Sequence, residues 1–216
     1  MTKRPTKHEK SVARAKRGVG RPRDDRVRKA ILASTIRLLE KKGSMKAMTT
    51  DEIAAAAGAS KATIYHWWPT KAAVVIDSFL ETVASEIQFP PKGSGPERIK
   101  EQMRRLVRAY AGKHGRVLRV IIAEAQSDPE TLKALLNGYI LRRRDDAKAV
   151  IAEAVAAGDL RSDIDSEVMI EALYGAVFYT LLLSHRPLDD RWIQEIANAV
   201  LYGLIQRSKS SAVNNS

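Results

Sequence analysis

From Asp24 to Arg207 the apolar residues recur three and four positions apart, and no run alternates apolar with polar as a half-buried strand would. That spacing commits the chain to helices, so the expected fold class is all-α. The first helix is expected from about Asp24 to Lys42. Asp24 and Asp25 suit its positive N-terminal end, Val27, Ile31, Thr35 and Leu38 form a stripe, and Gly43 stops it. Two short helices follow, then a longer one that begins after the N-cap Thr70 and reaches about Gln88. The stretch Phe89 to Pro96, FPPKGSGP, breaks the helical pattern and separates an N-terminal unit over 20–88 from a second over 96–207. Beyond it, helices are expected over Glu97–Ala111, Val117–Gln126, Pro129–Ala157, Ser166–Ser184 and Asp189–Arg207. Ser127 with Glu130 makes a capping box, Pro129 suits an early helical position, and Gly158 a C-terminal cap. Residues 1–19 and 208–216 read as disordered termini.

A chain of 216 residues with 44% apolar and 29% charged residues can bury one or two cores without staples. It has no cysteine, which removes disulfides, thiolate zinc sites and cysteine nucleophiles, and suits a reducing cytoplasm. No stretch approaches the roughly 20 uninterrupted apolar residues of a membrane helix, and the basic N-terminus lacks the apolar centre of a signal peptide. The expected location is therefore cytoplasmic, with no membrane partner. The net charge of +12 is unevenly placed, because residues 1–23 hold nine Lys or Arg against Glu9 alone. Such an arm points to a polyanion, nucleic acid being the commonest, or else to a solvated tail that aids solubility.

Thr49 to Trp68 reads TTDEIAAAAGASKATIYHWW. Thr49 with Glu52 makes a capping box that starts a short helix through Ile53, Ala54 and Ala57, whose small residues admit a close neighbour. Gly58 supplies the turn and Ser60 caps a second helix beginning at Lys61. Two helices so joined have the geometry of a helix-turn-helix, although an ordinary helical corner shares the spacing. The second helix turns Ile64 inward and leaves Lys61, Thr63, Tyr65 and His66 to face outward, with hydrogen-bonding groups for base edges and phosphates.

The flanks narrow the choice. Gly20, Arg21, Pro22 and Arg23 precede the first helix, and Trp67, Trp68, Pro69, Thr70 and Lys71 follow the second short one. With them, the segment from about Gly20 to Leu80 resembles the N-terminal domain of the TetR family of bacterial transcriptional regulators. That pattern has a Thr-led second helix, an Ala-Gly-x-Ser turn, an Ile-Tyr pair and a closing Lys. The resemblance implies phosphate contacts by Thr49 or Thr50, Ser60 and Lys71, with Lys61, Ala62, Thr63, Tyr65 and His66 facing the major groove. Trp67 is either a contact or a packing wedge, and Trp68 is assigned to the core. Arg21 and Arg23 stand where the basic arm of some members reaches the minor groove.

Ala172 to Leu183, ALYGAVFYTLLL, is apolar on every side, and Trp192, Ile193, Ile196, Ala197, Val200, Leu201, Leu204 and Ile205 form a broad stripe on the last helix. Either one protomer's core absorbs both helices, or they pair with their symmetry mates as a four-helix bundle. TetR-like proteins form homodimers in the second way. On that reading Leu173, Val177, Leu181, Trp192, Ile196, Val200 and Leu204 meet the partner, and two headpieces read a near-palindromic operator on double-stranded DNA.

The stretch from about His114 to Leu204 also resembles the ligand-binding domain of one branch of TetR/AcrR regulators, through VLRVIIAEAQSDPE and LYGAVFYTLLLSHRPLDD. By resemblance, a small-molecule effector fills a cavity among these helices and moves the headpieces apart. Met103, Val107, Tyr110, Gln126, Tyr139, Tyr174 and Phe178 are the candidate wall, being aromatic, flexible or polar residues on mainly buried faces.

His8, His66, His114 and His185 lie far apart and form no metal-ligand pair, so no metal or other cofactor is expected. The run Arg142 to Lys148 reads as a solvated, salt-bridged helix face. No phosphate loop, nucleophile elbow or paired-carboxylate setting appears, which argues against an enzyme. The leading expectation is a ligand-responsive transcriptional repressor. The runner-up is a DNA-binding protein of the same fold with an architectural role and no effector.

Overall fold

The structure is a computed structural model that describes residues 21–204, with side chains from Asp24 onward. The expected arm over 1–19, the side chains of Arg21 and Arg23, and the tail over 208–216 lie outside the described residues. All regular elements among those described are helices, as expected.

The N-terminal helices are α1 (Arg21–Lys42), α2 (Thr50–Ala57), α3 (Lys61–Trp67) and α4 (Lys71–Val83). Each of the last three starts on a hydroxyl that accepts from the backbone N–H three residues on: Thr49 from Glu52, Ser60 from Thr63, and Thr70 from Ala73. The Thr49 box is complete, because Glu52 returns a hydrogen bond from the Thr49 N–H at 2.9 Å. Gly58 ends α2 at φ 63°, a left-handed conformation that a side chain disfavours. α4 stops at Val83, short of Gln88, and the chain continues as turns to Ile87.

The rest comprises α5 (Gly95–Ala111), α6 (Lys113–Ala125), α7 (Pro129–Leu135), α8 (Leu141–Ala156), α9 (Ser166–Leu183) and α10 (Asp190–Leu204). α5 begins at Gly95 because Ser94 and Glu97 form a capping box just before the expected start. The cap of α7 is Asp128, which accepts from the Thr131 N–H, whereas the Ser127 hydroxyl donates backward to the Glu124 carbonyl. The expected Ser127–Glu130 box is thus replaced by an Asx cap one residue later. Gly158 follows α8 at φ 79°, in the place expected of a C-terminal cap.

The helix expected over Pro129–Ala157 is interrupted by one π-helical turn, Leu136–Ile140, between α7 and α8. The wider turn rephases the side chains that follow it, so α7 packs against α4 and α6 while α8 packs against α5 and α9. Gly138, inside this turn, lies against α4 so closely that a Cβ there would fall 2.8 Å from Ile76 Cγ2. Next to it, the Tyr139 ring stands edge-on to Phe79 of α4 at 5.3 Å. One continuous apolar core runs through both groups of helices, with Phe79, Tyr139, Ile31 and Leu39 among its largest fully buried side chains.

Candidate nucleic-acid interface and ligand cavity

α2 and α3 form the helix-turn-helix, held by Ile53 and Ile64 in the core and presented on α1 and α4. Lys61, Ala62, Tyr65 and His66 are exposed along α3, with Thr63 and Trp67 half-buried, so the expected reading face is in the open. Tyr65 is an apolar-bodied side chain 46% exposed, and its hydroxyl lies 3.3 Å from that of Thr50. Thr50 is itself buried. It steadies Tyr65 from within, and of the two alternatives for a phosphate contact Thr49 is the exposed one.

Lys61 Nζ reaches Asp51 Oδ2 at 2.9 Å, and this partner holds the ammonium above its ordinary pKa. The Ser60 hydroxyl pairs with the Thr63 hydroxyl at 2.8 Å and caps α3. Lys71 folds inward, donating to the Met45 and Met48 carbonyls at 2.7 and 2.9 Å, so it ties the α1–α2 loop to α4 in this conformation.

Trp68 is core, as expected, at 5% exposure. Its indole N–H donates to Asp77 Oδ2 at 3.0 Å, and the same oxygen accepts from Arg28 at 2.6 Å. One carboxylate of α4 thereby joins the end of the recognition helix to α1. Sequence reading did not single out Arg28 or Asp77; an acid within the strongly apolar α4 was the available signal.

Among α5, the π-turn, α8 and α9 lies a cavity of about 330 Å³. Tyr110, Tyr139, Tyr174 and Phe178 of the expected wall line it. Met103 and Val107 do not, because both point into the fully buried core. Gln126 caps α6 on the exposed surface and is corrected to a surface residue. The amide at the cavity belongs to Gln102, which accepts from the Tyr174 hydroxyl at 2.8 Å and donates to the Ile87 carbonyl at 3.1 Å. A polar residue on the apolar face of α5, beside Ile99, Met103 and Leu106, was the signal for it.

Arg143 and Arg144 also line the cavity, so the run expected as a solvated face is only partly that. Arg144 pairs with Glu167 and Glu171 of α9, and Lys148 with Glu167. Burial pushes the Tyr139 and Tyr174 hydroxyls above the ordinary tyrosine pKa against a lowering pull from Arg143, so both stay protonated at neutral pH.

Residues 31–77 match the family model described as bacterial regulatory proteins, tetR family, and residues 89–200 match that of the tetracyclin repressor-like C-terminal domain. The chain is 34% identical to the uncharacterised HTH-type transcriptional regulator YdeS of Bacillus subtilis over 90% of its own length and 98% of that protein's. This chain belongs to the TetR family of bacterial transcriptional regulators. An uncharacterised HTH-type regulator of Mycobacterium tuberculosis is 27% identical over 82% of this TetR-family chain and 87% of its own. Among solved structures, the TetR family regulator SCO0332 shares 30% identity at a TM-score of 0.72, covering 82% of this chain and 98% of that one. FadR of Bacillus subtilis, solved in complex with stearoyl-CoA, shares the fold at a TM-score of 0.61 and 17% identity, covering 81% and 98%. The TetR-family chain is thus a DNA-binding helix-turn-helix regulator of transcription, from a family of regulators rather than enzymes.

The last two helices of this TetR-family protomer bury part of their apolar surface and expose the rest. Leu173, Val177, Leu181, Trp192 and Leu204 are buried inside the protomer and cannot meet a partner, which corrects their expected role. Ile196 and Val200 are only half-buried. α9 also turns apolar side chains outward, with Tyr179 and Leu183 each 59% exposed, Val168 at 55% and Leu182 at 46%. Each helix therefore has two apolar faces, one sealed by its own protomer and one open.

Proposed function

We propose that this TetR-family regulator is a cytoplasmic repressor that holds a near-palindromic operator as a homodimer and releases it when a small molecule fills the α5–α9 cavity. The observation that carries this reading is the continuity from cavity to reading head. Tyr139 lines the cavity, its ring rests on Phe79 of α4, and Gly138 beside it presses on Ile76 of the same helix. α4 in turn holds the end of α3 through Asp77 and Trp68. A ligand that displaces Tyr139 has no slack to absorb the movement before α4, because packed interiors transmit strain. The small molecule named with FadR supports an effector of some kind for a chain of this fold.

The exposed Val168, Tyr179, Leu182 and Leu183 of α9, with the half-buried Ile196 and Val200 of α10, are the proposed dimer contacts. Lys61, Ala62, Thr63, Tyr65, His66 and Trp67 form the proposed base-reading face. Thr49, Ser60 and Lys71 take the phosphates, with Lys71 swinging from the loop carbonyls, and the Arg21 and Arg23 arm takes the minor groove.

Gel shifts on DNA from upstream of the protein's own gene test the assignment. Tyr65→Ala or Lys61→Ala is expected to cost on the order of 1 to 3 kcal/mol of specific binding. Removing residues 1–19 weakens binding to every sequence and flattens its salt dependence. Unchanged binding by Tyr65→Ala would sink the recognition-helix assignment.

A further inference from the structure

The walls of the cavity hold several hydrogen-bond donors that the protein leaves unused, and their one carboxylate, Glu171, already faces Arg144. Tyr110 and Tyr139 pair hydroxyl to hydroxyl, and such a pair uses only one of its two O–H hydrogens. Among the described residues neither hydroxyl has a further partner, so one phenolic O–H stays without an acceptor. Arg143 Nε is buried with no hydrogen-bond partner, alone in this among the described side chains. The second N–H of the Gln102 amide is likewise unused, since one donates to the Ile87 carbonyl and the amide oxygen takes Tyr174. Buried donors of this kind are costly unless something accepts from them.

The same walls are otherwise aromatic and apolar, with Phe89, Tyr110, Tyr139, Tyr174 and Phe178 contributing rings. Their fixed charges are already matched. Arg143 pairs with Asp146, and Arg144 with Glu167 and Glu171. A carboxylate or phosphate entering here would lose its hydration and find no unpaired cation. A neutral acceptor meets the spare donors without that cost.

We infer that the cavity takes a neutral aromatic carbonyl compound, with the rings packed among Phe89, Tyr174 and Phe178 and the carbonyl oxygen accepting from Arg143 Nε or the spare Tyr110–Tyr139 hydrogen. The inference rests on the reading of this cavity as the effector site. A volume of about 330 Å³ suits a molecule of two or three fused or linked rings.

Benzophenone and 9-fluorenone serve as neutral probes, with 2-naphthoate and decanoate as charged aromatic and charged aliphatic counterparts. All are titrated into the full-length protein by calorimetry, and the carbonyl stretch of bound benzophenone is followed by infrared difference spectroscopy. The neutral probes are expected to bind at least about tenfold more tightly than either carboxylate. The stretch of bound benzophenone is expected to lie below its value in hexane, as it does for an accepting carbonyl. Arg143→Met or the double deletion Tyr110→Phe/Tyr139→Phe, whichever removes the donor, should reduce affinity or move the stretch back toward the hexane value. If Arg143→Met loses its fold by circular dichroism, Arg143→Lys, which keeps the charge and lacks Nε, takes its place. Tighter binding of 2-naphthoate or decanoate, no binding of either neutral probe, or a stretch that none of the folded variants alters overturns the inference. Binding of benzophenone that meets these criteria without releasing DNA upholds the inference and overturns the effector reading instead.

Discussion

Replacing Asp77 tests whether the reading head is held on α4 by a single carboxylate. Asp77→Ala leaves the Trp68 indole N–H, on a residue only 5% exposed, with no acceptor. An orphaned buried donor costs about 1–3 kcal/mol. The lost ion pair with Arg28 adds less, because the two side chains are 36% and 29% exposed and solvent screens them, so about 0–1 kcal/mol is appropriate. The expected loss is therefore about 1–4 kcal/mol, at about 2–4 °C in Tm for each kcal/mol in a chain of this size. Asp77→Asn keeps a carbonyl oxygen for the indole and loses only the charge, so it should cost about 1 kcal/mol or less. Arg28→Met removes the ion pair and leaves the indole bond, and should resemble Asp77→Asn. Urea unfolding followed by circular dichroism and tryptophan fluorescence measures all three. The reasoning fails if Asp77→Ala stays within about 0.5 kcal/mol of the parent, or if Asn costs as much as Ala.

Gly138→Ala would gain about 1 kcal/mol in helix propensity but drive a Cβ to 2.8 Å from Ile76 Cγ2, and overpacking of about 1–3 kcal/mol should win. Adding Ile76→Leu, which removes that methyl, is expected to recover part of the loss in a double-mutant cycle. Leu183→Glu or Tyr179→Arg on the open face of α9 should leave the protomer folded and halve its mass in analytical ultracentrifugation, whereas a monomeric parent would refute the proposed dimer. Glu52 is held down to about 2 by Lys42 and the Thr49 cap, from an ordinary 4.5. A lowered carboxyl stabilises the fold above its unfolded pKa, and that contribution drains away as pH falls from about 4.5 to 2. Acid titration of α2 by NMR should show this loss, and Glu52→Gln should abolish it.

The helix-turn-helix was legible in the sequence because its determinants are local. Thr49, Gly58, Ser60 and Thr70 act on backbone groups within a few residues, and such caps need no knowledge of the rest of the fold. The π-turn was not legible, because periodicity over Pro129–Ala157 suits an unbroken helix. Only the contacts of Gly138 with Ile76 and Tyr139 with Phe79, some sixty residues away in sequence, call for a wider turn there.

The same division separates the two partner surfaces. Sequence determined that α9 and α10 are too apolar to face water, but composition cannot say which face its own protomer covers. Tertiary packing placed Leu173 and Val177 inside and left Tyr179 and Leu183 outside. Likewise, the aromatic wall could be drawn from residue type, while the donors that define its ligand depend on which hydroxyl meets which. Tyr110 with Tyr139, and Gln102 with Tyr174, are separated by 29 and 72 positions in the chain. Local chemistry is written in order along a chain; complementarity between distant side chains exists only once the helices have been packed together.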